Sequence, residues 1–94
     1  MNVEVIWTEK AETNYEAVKD FLKENWSKKV LKNFTSKVEN LIEHLKVYTQ
    51  LGEKVEDYPG VRKFLVTKQN YIYYKFIHNK LYIVNFVDTR QSKT

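Results

Sequence analysis

The sequence has no cysteine, one proline and two glycines among 94 residues. Without cysteine, the chain can form no disulfide framework, no thiolate nucleophile and no cysteine metal site. The scarcity of proline and glycine argues against a disordered or loop-rich chain. No apolar run approaches the roughly 20 residues that a membrane helix needs, and the N-terminus lacks the pattern of a secretory signal. These absences predict a protein that is cytoplasmic by default and has no membrane contact, and the length of 94 residues predicts a single domain over residues 1–94.

Charge is unevenly distributed along the chain. Residues 1–53 carry 8 basic and 9 acidic side chains, whereas residues 54–94 carry 8 basic and 3 acidic ones. The second part therefore has a net charge of +5, against −1 for the first. A basic surface can attract nucleic acid or an acidic protein segment, although the overall charge of +4 also favours simple solubility.

Hydrophobic periodicity predicts two helices and four strands. Thr8 is suited to cap a first helix from Glu9 to about Asn25, and Ser27 to cap a second that ends by Gly52. Four runs read as strands, three of them rich in β-branched and aromatic residues: 3–7, 61–67, 71–77 and 81–88. Residues 53–60 read as a loop. The order β-α-α-β-β-β predicts an α+β fold, with a helical hairpin packed on one face of a small, mostly antiparallel four-stranded sheet.

Alternation along the strands assigns side chains to the two faces of this sheet. Ile72, Tyr74 and Phe76 should meet the helices, and Tyr71, Tyr73 and Lys75 should point away from them. We place Arg62 on the open face beside Tyr71 and Tyr73, an assignment that a one-residue change of register would reverse. The breaks at 68–70 and 78–80 are hairpin-sized, and each contains an asparagine suited to left-handed backbone.

The sequence contains no pattern typical of a metal or cofactor site. His44 and His78 have no second ligand at a suitable spacing. Gly-rich phosphate loops and Ser/His/Asp constellations are not visible either. We therefore expect no metal and no cofactor.

Several short segments, in this order, resemble the RelE/ParE family of bacterial toxins from type II toxin–antitoxin systems, which includes plasmid stabilisation proteins. They are Val5-Ile6-Trp7-Thr8 with Ala11, Val61-Arg62-Lys63-Phe64 after a Pro-Gly turn, Tyr71 to Lys75, and Ile83 to Gln91. The resemblance spans most of the chain and implies growth inhibition by the toxin. It also implies a cognate antitoxin, whose disordered segment folds on binding. Tyr15, Phe21 and Trp26 are either receiving residues or core residues. Promoter DNA would be bound only through the antitoxin complex.

Two activities divide this family. RelE-type members cut messenger RNA on the ribosome, which needs cations and a group that moves a proton. By this resemblance, the candidate catalytic residues for RNA cleavage are Arg62, Tyr71, Tyr73 and Arg90. However, Phe64 stands at the next basic position, and no tyrosine follows Arg90. ParE-type members lack the nuclease set and inhibit DNA gyrase, so the departures favour a ParE-like block of gyrase. A RelE-like ribosome-dependent endoribonuclease and a degenerate, non-toxic binding module remain as alternatives.

Four basic residues are candidate contacts to a partner or nucleic acid: Arg62, Lys63, Lys75 and Arg90. A guanidinium is well shaped to bind phosphate. The neighbouring Tyr71 and Tyr73 could stack on bases or pack against each other across the sheet.

Overall fold

The computed structural model describes residues 3–89, which form a helical hairpin on one face of a five-stranded sheet. In chain order the elements are β1 (Glu4–Trp7), α1 (Glu9–Asn25), α2 (Lys28–Val47), β2 (Glu53–Lys54), β3 (Val61–Thr67), β4 (Asn70–Ile77) and β5 (Lys80–Asp88). The strands lie in the order β1-β5-β4-β3-β2. β1 is parallel to β5, and the other neighbouring pairs are antiparallel.

The predicted α+β class and the order of the main elements are confirmed. The prediction of four strands is wrong, because Glu53 and Lys54 pair with Lys63 and Arg62 to form a fifth, edge strand. A two-residue strand inside a polar connection has too little periodicity to be distinguished from a loop. No helix within residues 3–89 is long and apolar enough to cross a lipid bilayer.

Both helices begin where their caps predict. The Thr8 hydroxyl accepts a hydrogen bond from the Ala11 main-chain N–H at 3.2 Å, and the Ser27 hydroxyl accepts one from Val30 at the same distance. α2 ends at Val47, well before Gly52. Gly52 instead lies so close to β3 that an added Cβ would stand 2.6 Å from the Lys63 carbonyl oxygen. This close approach, and not a helix cap, requires glycine there.

The core lies between the hairpin and the sheet. The apolar stripes of α1 and α2 pack on the helix-facing side of β4 and β5. The largest fully buried side chains are Tyr74, Phe86, Leu45, Ile72, Leu81, Ile83 and Val38. Ile72 and Tyr74 therefore face the helices, as alternation predicts.

Two bulges set the register of the central strands. One lies between Leu65 and Thr67, so Arg62 pairs with Tyr74. A regular two-residue turn closed by the Thr67–Asn70 pair would have set Arg62 opposite Lys75 instead. The second bulge lies in β5, opposite the Tyr73–Tyr74 step. The predicted placement of Arg62 on the open face is therefore wrong. The extra residue of the first bulge shifts the register between the β3–β4 turn and Arg62 by one, which moves the Arg62 side chain to the other face.

The two predicted turns differ. His78 and Asn79 have φ of 51° and 62°, which suits the tight turn between β4 and β5. Asn70 is not left-handed and begins β4 as a buried residue, 3% exposed.

Candidate functional site

The first candidate surface is the sheet face that points away from the helices, called the open face below. The register places Lys63 beside Tyr73, Leu65 beside Tyr71, and Lys75 beside Tyr82. Side chains of directly paired residues lie on the same face. The open face therefore carries two lysines interleaved with three tyrosines.

Close contacts join several of these side chains. The Lys63 ammonium lies 5.1 Å from the centroid of the Tyr71 ring, within the range of a cation–π interaction. The same nitrogen is 3.6 Å from a Glu53 carboxylate oxygen on β2. The rings of Tyr71 and Tyr73 are tilted, with centroids 6.5 Å apart. A basic and aromatic surface of this kind can contact phosphates, bases or an acidic protein surface.

Arg62 lies on the opposite, helix-facing side and holds the connection between α2 and β2. Its Nη1 donates to the Gly52 carbonyl oxygen at 2.7 Å and to the Gln50 carbonyl oxygen at 3.4 Å. The neighbouring Tyr74 hydroxyl accepts from the Gly52 N–H at 2.8 Å and donates to the Thr49 carbonyl oxygen at 2.9 Å. Burial raises the pKa of Tyr74, although the Gly52 hydrogen bond and the Arg62 charge partly oppose the rise. The phenol thus keeps the proton that it donates.

The four predicted catalytic candidates are only partly brought together. Tyr71 and Tyr73 are neighbours on the open face, whereas Arg62 lies on the other side of the sheet. Arg90 lies outside the described residues. Of the predicted contact residues, Lys63 and Lys75 share the open face with the two tyrosines.

The second candidate surface is a groove of about 330 Å³ between the hairpin and the β3–β4 turn, called the helical groove below. Its lining residues are Val18, Leu22, Trp26, Val30, Asn33, Phe34, Lys37, Thr67, Gln69 and Asn70. Trp26, the C-cap residue of α1 at the groove mouth, is 59% exposed, and Phe21 on α1 is 43% exposed. These two of the three predicted receiving residues are thus accessible.

Tyr15, the third, is partly buried and packs against the core. Its ring stacks on Trp7 at 4.9 Å and meets Phe86 at 5.1 Å. Burial raises the pKa of Tyr15 to about 12, and the charges of Glu39 and Glu16 add to the effect.

Asn70 on the floor of the helical groove is the residue that sequence reasoning missed. Its Oδ1 accepts a hydrogen bond from the Thr67 hydroxyl at 2.7 Å. Its Nδ2 is buried and has no hydrogen-bond partner among the described residues. No sequence signal separates such an asparagine from one that forms a turn, because both follow a short polar break.

Metal-binding potential is small in the described part of the chain. Residues 3–89 contain no group of three or more histidine, aspartate or glutamate side chains placed to hold an ion.

Comparison with known proteins agrees with this architecture. The chromosomal ParDE system from P. aeruginosa has a TM-score of 0.73 at 16% identity, over 92% of this chain and 95% of that one. The YoeB/ParE toxin from Agrobacterium tumefaciens has a TM-score of 0.70 at 17% identity, over 90% and 96%. The E. coli DinJ-YafQ toxin-antitoxin complex has a TM-score of 0.68 at 11% identity, over the full length of both chains. At these identities the likeness establishes the fold.

Among curated proteins, none matches the sequence. The family model for the ParE toxin of the type II toxin–antitoxin system parDE matches residues 5–93, which is nearly the whole chain. The chain therefore belongs to the ParE toxin family of type II toxin–antitoxin systems.

Proposed function

We propose that this toxin arrests bacterial growth by a ParE-like block of DNA gyrase and that a cognate antitoxin neutralises it. The position of Arg62 is the observation that favours gyrase inhibition over RNA cleavage. A ribonuclease of the RelE type needs cations that reach the scissile phosphate. Arg62 is the one arginine of residues 3–89, and its guanidinium is bonded to main-chain carbonyls on the helix side of the sheet.

The open face supports a role in contacting the target. Lys63 and Lys75 give it positive charge, and Tyr71, Tyr73 and Tyr82 give it broad aromatic surface. Aromatic side chains are enriched in the centres of protein interfaces, and positive charge attracts an acidic protein surface. We therefore assign the gyrase contact to this face.

The antitoxin assignment is supported by the accessible apolar side chains of the hairpin. Phe21 on α1 and Trp26, which caps the end of α1, are large and exposed, which is typical of a surface that another chain covers. The relatives of known structure include the YoeB-YefM complex from Staphylococcus aureus and the DinJ-YafQ complex, both of which are toxin–antitoxin complexes.

Pulse labelling after induction of the toxin alone tests the target. We expect thymidine incorporation to fall within minutes while methionine incorporation continues, because blocked gyrase halts replication before translation. Purified toxin should also inhibit supercoiling by gyrase. Co-expression of the antitoxin should restore both growth and thymidine uptake. An early fall in methionine incorporation with cleaved transcripts would overturn the gyrase assignment, and no effect on either label would indicate a non-toxic binding module.

A pair of charge reversals tests the open face. Lys75→Glu places a negative charge among the tyrosines, whereas Lys10→Glu makes the same change in the first turn of α1. We expect Lys75→Glu to relieve growth arrest and Lys10→Glu to retain it, with both proteins folded by circular dichroism. Equal toxicity of the two variants would contradict a role for the open face.

A ribosome-dependent endoribonuclease is the second candidate function, and the cation–π contact between Lys63 and Tyr71 favours it. A base stacked on the tyrosine would lie close to the ammonium group. Tyr71→Ala should then abolish transcript cleavage, and Tyr82→Ala, on the same face in β5, is the matched control.

A further inference from the structure

Each edge of the sheet carries a glutamate that is paired with a lysine of the neighbouring strand. On one edge, Glu53 of β2 lies directly opposite Lys63 of β3, with 3.6 Å between the carboxylate oxygen and the ammonium nitrogen. On the other edge, Glu4 of β1 lies opposite Lys80 of β5, and the corresponding atoms are 4.0 Å apart. Both glutamates stand on edge strands, so the two ion pairs border the sheet.

Both ion pairs lie on the open face. Lys63 shares this face with Tyr73, and a glutamate directly opposite a lysine lies on the same side of the sheet. Lys80 pairs with Ile77, which stands two residues after Lys75 in β4 and therefore on the same side. Of the three lysines that the strands place on this face, Lys75 has no ion pair within residues 3–89. The strands thus present one uncompensated ammonium group between two neutralised edges.

In both pairs the carboxylate is the more exposed partner. The Glu53 side chain is 69% exposed and that of Lys63 31%, while Glu4 and Lys80 are 65% and 46% exposed. Lys63 is further confined by the Tyr71 ring, whose centroid lies 5.1 Å from the ammonium nitrogen. A ligand that approaches either lysine from solvent therefore meets a negative charge on the way.

This charge pattern disfavours nucleic acid. A nucleic-acid strand carries a phosphate on every nucleotide, and proteins bind it largely through lysines and arginines that replace its counterions. Two lysines of the open face are already paired, and their glutamates repel any phosphate that passes over the edges. A protein surface, by contrast, can place a single carboxylate opposite Lys75 and cover the tyrosines between the edges.

We propose that Glu4 and Glu53 exclude nucleic acid from the open face and thereby select a protein surface, with a carboxylate opposite Lys75, as its partner. The inference deepens the proposed function and rests on it, since the open face is assigned there to the contact with gyrase. The two glutamates determine specificity by lowering affinity for the wrong class of ligand.

The first experiment measures RNA binding by the full-length toxin, made by cell-free synthesis. A fluorescein-labelled oligouridylate is titrated with the wild-type toxin and with an edge variant that carries Glu4→Gln and Glu53→Gln. We expect the edge variant to bind at least about fivefold more tightly at low salt, because the glutamates no longer compete with phosphate for the lysines. The slope of log Kd against log salt concentration should steepen by about 0.7 for each lysine released.

A charge-matched control separates the edges from net charge. Glu24→Gln with Glu56→Gln changes the net charge equally, at exposed positions on α1 and in the β2–β3 connection. We expect this control variant to bind RNA within about twofold of wild type, since salt screens distant charges. Adding Lys63→Gln and Lys80→Gln to the edge variant should remove its gain. Equal binding by the edge and control variants, or a gain that survives loss of the two lysines, would overturn the proposal.

Inhibition of supercoiling by purified gyrase tests the carboxylate opposite Lys75. Lys75→Gln removes the charge and keeps most of the side-chain length, and Lys10→Gln makes the same change in the first turn of α1. We expect Lys75→Gln to raise the half-inhibitory concentration about fivefold and Lys10→Gln to leave it unchanged. Equal inhibition by the two variants would contradict this part of the proposal.

The failure of this inference is distinguishable from the failure of the proposed function. If the wild-type toxin inhibits gyrase but the edge variant gains no affinity for RNA, the inference fails and the proposed function stands. If the wild-type toxin does not inhibit gyrase but the edge variant gains affinity for RNA, the proposed function fails and the exclusion of nucleic acid stands. Tight RNA binding by the wild-type toxin that Lys63→Gln abolishes would overturn both and favour the ribonuclease.

Discussion

At the scale of single residues, Arg62 is a sequence-predicted site residue whose contacts in the structure stabilise the fold. It is one of two arginines that the family resemblance marks for phosphate chemistry, yet its guanidinium donates to the carbonyl oxygens of Gly52 and Gln50. Tyr74 completes the same connection with one accepted and one donated hydrogen bond. Together the two side chains pair the main-chain groups that lead from α2 into β2.

Removal of the Tyr74 hydroxyl should therefore weaken the fold. Tyr74→Phe leaves the Gly52 N–H and the Thr49 carbonyl oxygen without this partner, and a buried group left unpaired costs about 1–3 kcal/mol. We expect the free energy of unfolding, measured in urea, to fall by about this amount. Tyr73→Phe, one residue away on the open face, should change it by less than about 0.5 kcal/mol. Similar losses in the two variants would contradict the assigned role of the connection.

At the scale of elements, Thr8 joins the start of α1 to the bulge of β5. Its hydroxyl accepts from Ala11 and donates toward the carbonyl oxygens of Ile83 and Val84, at 3.1 and 3.2 Å. Its main-chain N–H also donates to Ile83. Ser27 caps α2 with a single exposed bond to Val30. The Thr8 cap thus attaches α1 to the sheet, whereas the Ser27 cap stabilises α2 itself.

The two caps should differ in their contribution to stability. We expect Ser27→Ala to cost about 1 kcal/mol, the usual value of an N-cap. Thr8→Ala also removes the bonds to β5 and should cost about 2 kcal/mol or more. Equilibrium urea unfolding of both variants measures the difference. Equal costs would show that the bond to the β5 bulge contributes little.

At the scale of the whole molecule, Tyr15 links the layers. Its ring, carried by α1, contacts Trp7 of β1, Phe34 of α2 and Phe86 of β5. Lys19 lies 4.7 Å from the centroid of the same ring. Burial and the nearby glutamates disfavour the phenolate, which raises the pKa of Tyr15 from 10.0 to about 12.

This raised pKa predicts a loss of stability at alkaline pH. The unfolded chain releases the Tyr15 proton first, so the contribution is intact below the unfolded pKa and is lost as the pH rises through the folded one. We expect the free energy of unfolding to fall between about pH 10 and about pH 12. Tyr15→Phe, which keeps the ring contacts, should show a smaller fall. Tyr58→Phe removes a phenol from an exposed loop position as the control. A fall of equal size in wild type and Tyr15→Phe would refute this linkage.

The sequence by itself determined the elements. Caps at Thr8 and Ser27 and apolar spacing located both helices, because these signals act between residues close together in the chain. The runs of β-branched and aromatic residues located the three long strands of the second half for the same reason. The family resemblance, carried by short segments in a fixed order, pointed to the toxin family that the match over residues 5–93 establishes.

Only the tertiary structure decided which residues meet. A bulge near Val66 moved Arg62 to the helix side and Lys63 to the open face, and no local pattern indicates such a bulge. The two-residue strand β2 exists because β3 offers it a free edge. Asn70 is buried, and its amide nitrogen has no partner among residues 3–89, because two helices distant from it in sequence pack beside the β3–β4 turn. Register, edges and grooves arise from long-range packing, which local sequence preferences do not encode.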